Sequence, residues 1–389
     1  MASSSPLTVA YVAGCAPGDV RHWSGTTHFM GQSLAQAGLN VRHLGPFHVP
    51  GHWWRHFKYH FYRRLLRQNY LALYDLGRAK ALGRAVTAAV AQQPADVVLG
   101  SFGDHLAFLE TNLPLVVWTD GTFIRMRNFY PDYQNLCAAT LKAGEWIDRT
   151  VLQRCRLAVF ATDWAAESAL RHYGVDPHKV HVIPFGANLE CHRTLADIEA
   201  LIAARPESPC RLLFVGRLWE RKGGDLAMAV AARLNALGLP TELTLVGSRP
   251  PHGQAVPAYV KVRGFIDKST AAGRAELDRL FAESHFLLLP TRAEAYGIVF
   301  CEAASFGLPS LATAVGGVPS IIREGLNGHT FPASAGPDLY AYQIERLMRR
   351  YYEYRLLARN AFLEYQRRLN WPRAAQRMRA LLEKITGRD

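Results

Sequence analysis

Two carboxylates, Glu294 and Glu302, stand eight positions apart in residues 292–317, RAEAYGIVFCEAASFGLPSLATAVGG. The run before them, residues 285–291 (HFLLLPT), is short, apolar and closed by Pro290, which predicts a strand buried on both faces of a parallel sheet. A turn at Tyr296-Gly297 follows, and residues 298–306 read as the first turns of a helix. Glu294 then falls in the loop at the carboxyl end of the strand, and Glu302 about one turn into the helix. Ligands of open parallel sheets sit at that rim, where a helix start offers N–H groups and a positive dipole end to an anion. Carboxylates are poor partners for phosphate but good acceptors for hydroxyls. The stretch therefore suits a molecule carrying both.

A second set of residues fits the anionic part of such a molecule. Residues 211–215 (RLLFV) predict a strand and Gly216-Arg217 its turn, and Lys222-Gly223-Gly224 opens a helix over residues 225–237. Arg217 offers a bidentate fork and Lys222 a compact point charge. Two glycines allow close backbone approach, so the cations and the helix start can hold a diphosphate. Both cations also fit as ordinary surface charges.

Glu294 and Glu302 with seven residues between them, then GLP and GGVPSII, resemble the donor-site signature of retaining glycosyltransferases with the GT-B fold, family 4 (the group 1 glycosyltransferases). The resemblance extends upstream through FVGRLWERKGGD (214–225), LTLVGS (243–248) and VRGFIDK (262–268), several motifs in the right order over most of the C-terminal half. It implies an α/β chain of two Rossmann-like domains whose parallel sheets face across a cleft. It also implies transfer of a hexosyl group from a UDP- or GDP-sugar to a hydroxyl of a lipid-linked or envelope-glycan acceptor, with retention of configuration, as in polysaccharide biosynthesis. In that reading Arg217 and Lys222 neutralise the leaving diphosphate together with the backbone of Gly297, Ile298 and Val299. Glu294 accepts donor-sugar hydroxyls and Glu302 the ribose diol. Phe265 and Ile266 belong to the loop that presents backbone groups to the nucleobase. No cofactor or essential metal is implied, and no Asp-x-Asp motif stands where a metal–diphosphate bridge would be expected. Two other outcomes fit the fold: a sugar-nucleotide epimerase, which would want further acid/base side chains, and a non-catalytic nucleotide-sugar-binding scaffold.

The N-terminal half matches more loosely. Residues 7–13 predict a buried strand, 28–38 a helix ended by Gly38, and 41–44 a second strand. Trp23-Ser24-Gly25-Thr26 then lies at the binding rim, where the family's loop is Gly-rich and close to the donor phosphates; Gly25 is the one clear match, and it also fits a plain tight turn. Strands are expected at residues 96–100 and 115–118. After the second, Asp120 in Thr119-Asp120-Gly121-Thr122 stands where family members often carry a His. It could hydrogen-bond the donor sugar or stabilise positive charge there, or serve as a turn or capping residue. Asp104 and His105, in GSFGDHL, are acceptor-side candidates at the neighbouring strand end. Further strands are expected at 157–162 and 180–184.

Residues 48–74 (HVPGHWWRHFKYHFYRRLLRQNYLALY) form the most unusual segment. Residues 55–67 carry five Lys or Arg and no acid, and Trp54, Phe57, Phe61 and Leu65 recur at helical spacing. Such a helix can lie in a membrane interface, with its charge on anionic lipid; the alternative is an amphipathic helix facing the core. No nucleic-acid motif accompanies it, so nucleic acid is not an expected partner. His48, His52, His56 and His60 fall four apart, but without a carboxylate or Cys to complete a set no metal site is expected.

Composition sets the wider bounds. The 389 residues, 49% hydrophobic and 20% charged, predict a globular protein of about two domains. The expected boundaries are an acceptor-binding domain 1–190, a linker 191–210, a nucleotide-sugar domain 211–365, and a last helix, 366–389, crossing back. The net charge of +13 calls for an anionic partner. Six scattered cysteines without CxxC spacing fit reduced thiols in a cytoplasmic protein, peripheral on the inner face of the plasma membrane if residues 48–74 meet lipid. No apolar run approaches the roughly 20 residues a membrane span needs. The opening MASSSPLTVAYVAGCAP has no basic n-region and reads as a strand rather than a leader.

Overall fold

The computed structural model describes residues 6–388. They divide into two units: one runs to Phe185 and resumes at Trp371, and the other is Gly186–Asn370.

The first unit is a six-stranded parallel sheet between helices. Its strands are β1 (Thr8–Val12), β2 (Asn40–Leu44), β3 (Val97–Gly100), β4 (Leu115–Thr119), β5 (Leu157–Phe160) and β6 (Val180–Val182), in the order β2-β1-β3-β4-β5-β6. The helices are α1 (Thr26–Gln36), α2 (His52–Leu65), α3 (Leu76–Gln92), α4 (Gly103–Leu106), α5 (Phe123–Met126), α6 (Ala138–Arg154) and α7 (Asp163–Tyr173). β3 and β5 are buried along their whole length, as parallel strands covered on both faces must be. The chain's last helix, Trp371–Thr386, returns to this unit: Trp371 stacks on Phe185 at 5.6 Å, and Arg379 donates to the Ala37 carbonyl at 2.7 Å.

The segment with the unusual composition is helical where expected, but it does not face the core. No residue of α2 is buried, and Trp53 is 72%, Phe57 53% and Leu65 71% exposed. What holds it is its other side. Lys58 pairs with Asp75 at 2.8 Å, Tyr62 stacks on Tyr70 at 5.8 Å, and Arg55 donates to the carbonyls of Pro50 and Val49. Among the described residues no helix is long and apolar enough to cross a membrane.

The second unit repeats the architecture. Strands β7 (Cys210–Val215), β8 (Thr241–Val246), β9 (Val260–Gly264), β10 (Phe286–Leu289), β11 (Ser310–Thr313) and β12 (Gly328–Phe331) are parallel in the order β12-β11-β10-β7-β8-β9. Helices α8 (Leu195–Ala204), α9 (Trp219–Lys222), α10 (Gly224–Ala236), α11 (Ala271–Glu283), α12 (Ile298–Ala304), α13 (Val318–Ile321), α14 (Pro337–Arg349) and α15 (Tyr351–Arg368) surround it. Residues 191–210 are part of this unit. A Thr194/Asp197 capping box starts α8, its Ile198 and Ile202 are buried, and the guanidinium of Arg205 beyond it donates to the carbonyls of Ala282, Phe306 and Gly307.

In each sheet the chain adds strands on one side and then crosses to the other, so a topological switch point lies between β1 and β3 and again between β7 and β10. Crevices outside the carboxyl ends of strands at such points are where α/β sheets bind ligands.

Candidate functional site

The switch point of the second unit collects the charged residues singled out above. Past β7, Gly216 leaves room for the Lys222 stem, since a Cβ there would stand 2.8 Å from Lys222 Cγ. Gly223 caps α10 with φ +75°, and a Cβ on it would run into the Pro290 carbonyl at 2.1 Å. The loop therefore lies flush against the end of β10. There Lys222 Nζ donates to Glu294 Oε2, and both side chains are buried. Arg221 adds a second cation, 3.6 Å from the same oxygen, while also donating to the Ala293 carbonyl at 2.7 Å. Arg292 grips Asp225 with both arms, at 3.0 and 2.6 Å, which ties the β10 loop to the start of α10.

Glu294 is shaped by the turn that follows it. The Gly317 N–H donates to its carbonyl at 3.0 Å. Gly297, at φ +94°, caps α12, and a Cβ on it would meet the Phe300 ring at 2.5 Å and Glu294 Cγ at 3.2 Å. Only glycine both adopts that backbone and leaves the carboxylate its place. Ile298 and Val299 open α12, and Glu302 sits buried within it, accepting from Lys268 Nζ at 2.7 Å. Lys268 follows β9 in the same loop as Phe265 and Ile266. Ile266 is turned inward and buried, whereas the Phe265 ring is 67% exposed with the Arg217 guanidinium 5.7 Å from its centre.

Arg217, Lys222, Glu294, Gly297, Ile298, Val299, Glu302, Phe265 and Ile266 thus all belong to the carboxyl-end loops of one sheet or the helices those loops open. Arg221 and Lys268, the partners of the two carboxylates, were not singled out from the sequence. Both lay inside quoted motifs, but a cation's partner depends on which strands become neighbours.

Gly25 and Asp120 belong to the first unit. Gly25, at φ +94°, ends three consecutive left-handed residues, after Trp23 (φ 47°) and Ser24 (φ 58°), at the start of α1. Non-glycine residues hold that conformation only where the surroundings impose it; here the Trp23 ring is set between Phe102 at 5.1 Å and Phe185 at 5.3 Å. Asp120 follows β4. The turn after it is organised by Asp148 of α6, whose carboxylate accepts the Phe123 N–H at 2.5 Å. Burial pushes the Asp148 carboxyl up to about 7, against the pull of the Phe123 N–H and the Tyr173 hydroxyl.

Residues 24–190 match the family described as Glycosyltransferase Family 4, and residues 209–350 match that described as Glycosyl transferases group 1. The D-inositol 3-phosphate glycosyltransferase of Streptomyces bingchenggensis is 32% identical over 200 residues, which cover 48% of this chain and 44% of that protein. The chain thus spans less than half the length of the curated relatives it matches. Sucrose-phosphate synthase from Thermosynechococcus elongatus superposes over 98% of this chain and 100% of its own with a TM-score of 0.69 at 18% identity. HepE of Anabaena, solved with UDP-glucose, superposes over 97% of this chain and 100% of its own with a TM-score of 0.60 at 16% identity. Two parallel-sheet units with these likenesses make the fold GT-B.

Proposed function

Because the chain belongs to the family 4, group 1 glycosyltransferases, we propose that it moves a hexosyl group from a UDP- or GDP-sugar to a hydroxyl of a lipid-linked or envelope-glycan acceptor, with retention. The observation that carries this reading is the buried contact of Lys222 with Glu294 at the β7/β10 switch point. Each holds the other's charge, and a nucleotide-sugar offers a better partner to both: diphosphate oxygens for Lys222 and sugar hydroxyls for Glu294.

Breaking the anomeric C–O bond leaves an oxocarbenium-like sugar and a diphosphate that has gained one negative charge, so stabilisation must grow as the charges separate. Arg217 and Lys222 serve the diphosphate, with the backbone N–H groups of Gly297, Ile298 and Val299. Glu294 orients the sugar, and Glu302 takes the ribose diol. Phe265 and Ile266 border the base. Retention requires the acceptor oxygen to attack from the face the diphosphate leaves, whose oxygen can take the acceptor's proton. Gly25 is assigned to the loop beside the donor phosphates and the acceptor, and Asp120 to the reacting carbon. The exposed aromatic face of α2, with cations and no acid along the helix, fits peripheral attachment to the cytoplasmic face of an anionic membrane, where such acceptors are anchored.

The test is incubation with a panel of UDP- and GDP-sugars, measuring donor stabilisation, slow hydrolysis and transfer. One donor should raise Tm by mass action and be hydrolysed slowly. Binding without hydrolysis or transfer would point to a scaffold, and conversion of the sugar without transfer to an epimerase.

A further inference from the structure

Besides its aromatic stripe, α2 carries a row of imidazoles. Four-residue spacing sets His52, His56 and His60 along one side of the helix, one turn apart. Spacing alone gave no reason to expect a metal there, because no carboxylate or Cys completes a set. The side chains add a geometry that the spacing lacked. Nε2 of His56 and Nε2 of His60 are 2.9 Å apart. Two imidazole nitrogens bound to one ion at about 2.0–2.1 Å stand about 2.9 Å apart when the angle at the metal is square, and about 3.3 Å apart when it is tetrahedral. The pair already stands at the bite of a cis chelate.

Neighbouring rings orient both imidazoles. His52 stacks on His56, with ring centres 6.1 Å and planes 19° apart. The Tyr59 ring meets His60 edge-on at 5.3 Å, and Arg63 donates to the Tyr59 hydroxyl. In the free pair one Nε2 carries a proton and donates to the other. Neither ring is buried, so water offers each nitrogen an equal partner and the direct contact gains little. An ion gains more from the same geometry. The donor ring need only hold its proton on Nδ1 instead, and no proton leaves the pair. The helix also has use for a link across one turn, since it starts at Gly51 with no side-chain cap and no acid in its first turn. The surroundings select the kind of ion. Arg63 and Arg64 lie on the same helix, which carries no acid. Calcium and magnesium take oxygen ligands and lean on negative charge, so this place rejects them. Ions held by nitrogen donors remain, with copper(II) bound tightest.

We propose that His56 and His60 form a bidentate site for a late first-row divalent ion, copper(II), nickel(II) or zinc(II), chelated by their Nε2 atoms across one turn of α2. The site is separate from the donor cradle of the second unit and does not rest on the transfer reading.

The experiment titrates the full chain, free of any affinity tag, with zinc and nickel salts, and with magnesium as the control, at a pH above the imidazole range. Calorimetry should show saturable binding of zinc and of nickel but not of magnesium. His56→Gln and His60→Gln should each weaken it at least about tenfold, with little further loss in the double variant, because a chelate is lost with its first ligand. His52→Gln should keep it. Without metal these variants should unfold at the wild-type Tm, since no α2 side chain is buried. Zinc should also slow amide exchange along α2 in wild type, but not in His56→Gln or His60→Gln. No saturable zinc or nickel site overturns the proposal, as does an affinity that neither variant changes. Losses that add in the double variant, as from two independent surface histidines, overturn it too. Binding that leaves exchange along α2 unaltered puts the ion elsewhere and overturns it as well.

Discussion

Lys222 and Glu294 are 72 positions apart in sequence, yet their side chains join at the end of two adjacent strands, β7 and β10, with Arg221 behind them. The pair is buried, so removing one partner leaves an uncompensated charge in a poorly solvated place.

Glu294→Ala is expected to lower thermal stability by about 3 kcal/mol and to abolish donor turnover. Glu294→Gln keeps the shape and a hydroxyl acceptor but no longer answers the charge of Lys222. Its turnover should fall about a hundredfold with a smaller loss of Tm. Calorimetry with a donor-hydrolysis assay checks both. Wild-type turnover in Glu294→Gln would remove this carboxylate from the chemistry.

Gly297→Ala should be damaging out of proportion to one methyl group. It forces a side chain into φ +94° and onto the Phe300 ring and Glu294 Cγ, costing about 1–3 kcal/mol. Because the displaced atom belongs to Glu294, donor affinity should fall together with Tm. A variant that loses Tm but binds donor as wild type would separate the turn from the site.

Glu302 gives a different signature. If it holds the ribose diol, wild type should prefer UDP to 2′-deoxy-UDP by about tenfold, and Glu302→Gln should bind both about equally. A preference that survives in the variant would assign the diol to another group.

Asp148 links stability to pH. Its folded pKa of about 7 lies above the ordinary 3.8, so the folded state holds its proton more tightly than the unfolded one. That contribution is complete below about 3.8 and fades as pH rises toward 7. Asp148→Asn does not titrate and still offers an oxygen to the Phe123 N–H. The variant's stability relative to wild type should therefore rise between pH 4 and 8, by on the order of 2–4 kcal/mol. A difference that is flat across this range would show that the carboxyl is not perturbed.

The α2 face predicts lipid binding. Wild type should pellet with vesicles containing anionic lipid, and a variant with Trp53, Trp54 and Phe57 changed to Ser should not. Its folding stability should stay within about 0.5 kcal/mol of wild type, because none of the three side chains is buried. Failure of the wild type to pellet would end the membrane proposal.

Much of this was legible in the residues alone. Short apolar runs marked β1, β3, β4, β5, β7 and β10 to within a residue or two. Gly38, Gly174, Gly223 and Gly297 stood where left-handed backbone ends or begins a helix. Local physics sets these features, so a local reading finds them. α2 was legible as a helix but not in its direction: an amphipathic stripe has the same spacing whether it meets a core or a solvent-facing surface. Its exposure is settled by Asp75 and Tyr70, which hold the opposite side.

What no reading of the chain in order supplied is which loops become neighbours. Arg221 beside Glu294, Lys268 on Glu302 and Asp148 under the Phe123 N–H all join residues from different strands or helices. The residue types and the turns that display them follow from short-range spacing and backbone sterics. The pairing of charges follows from strand order, a property of the whole sheet, and it is this order that carries residues distant in sequence to a common rim.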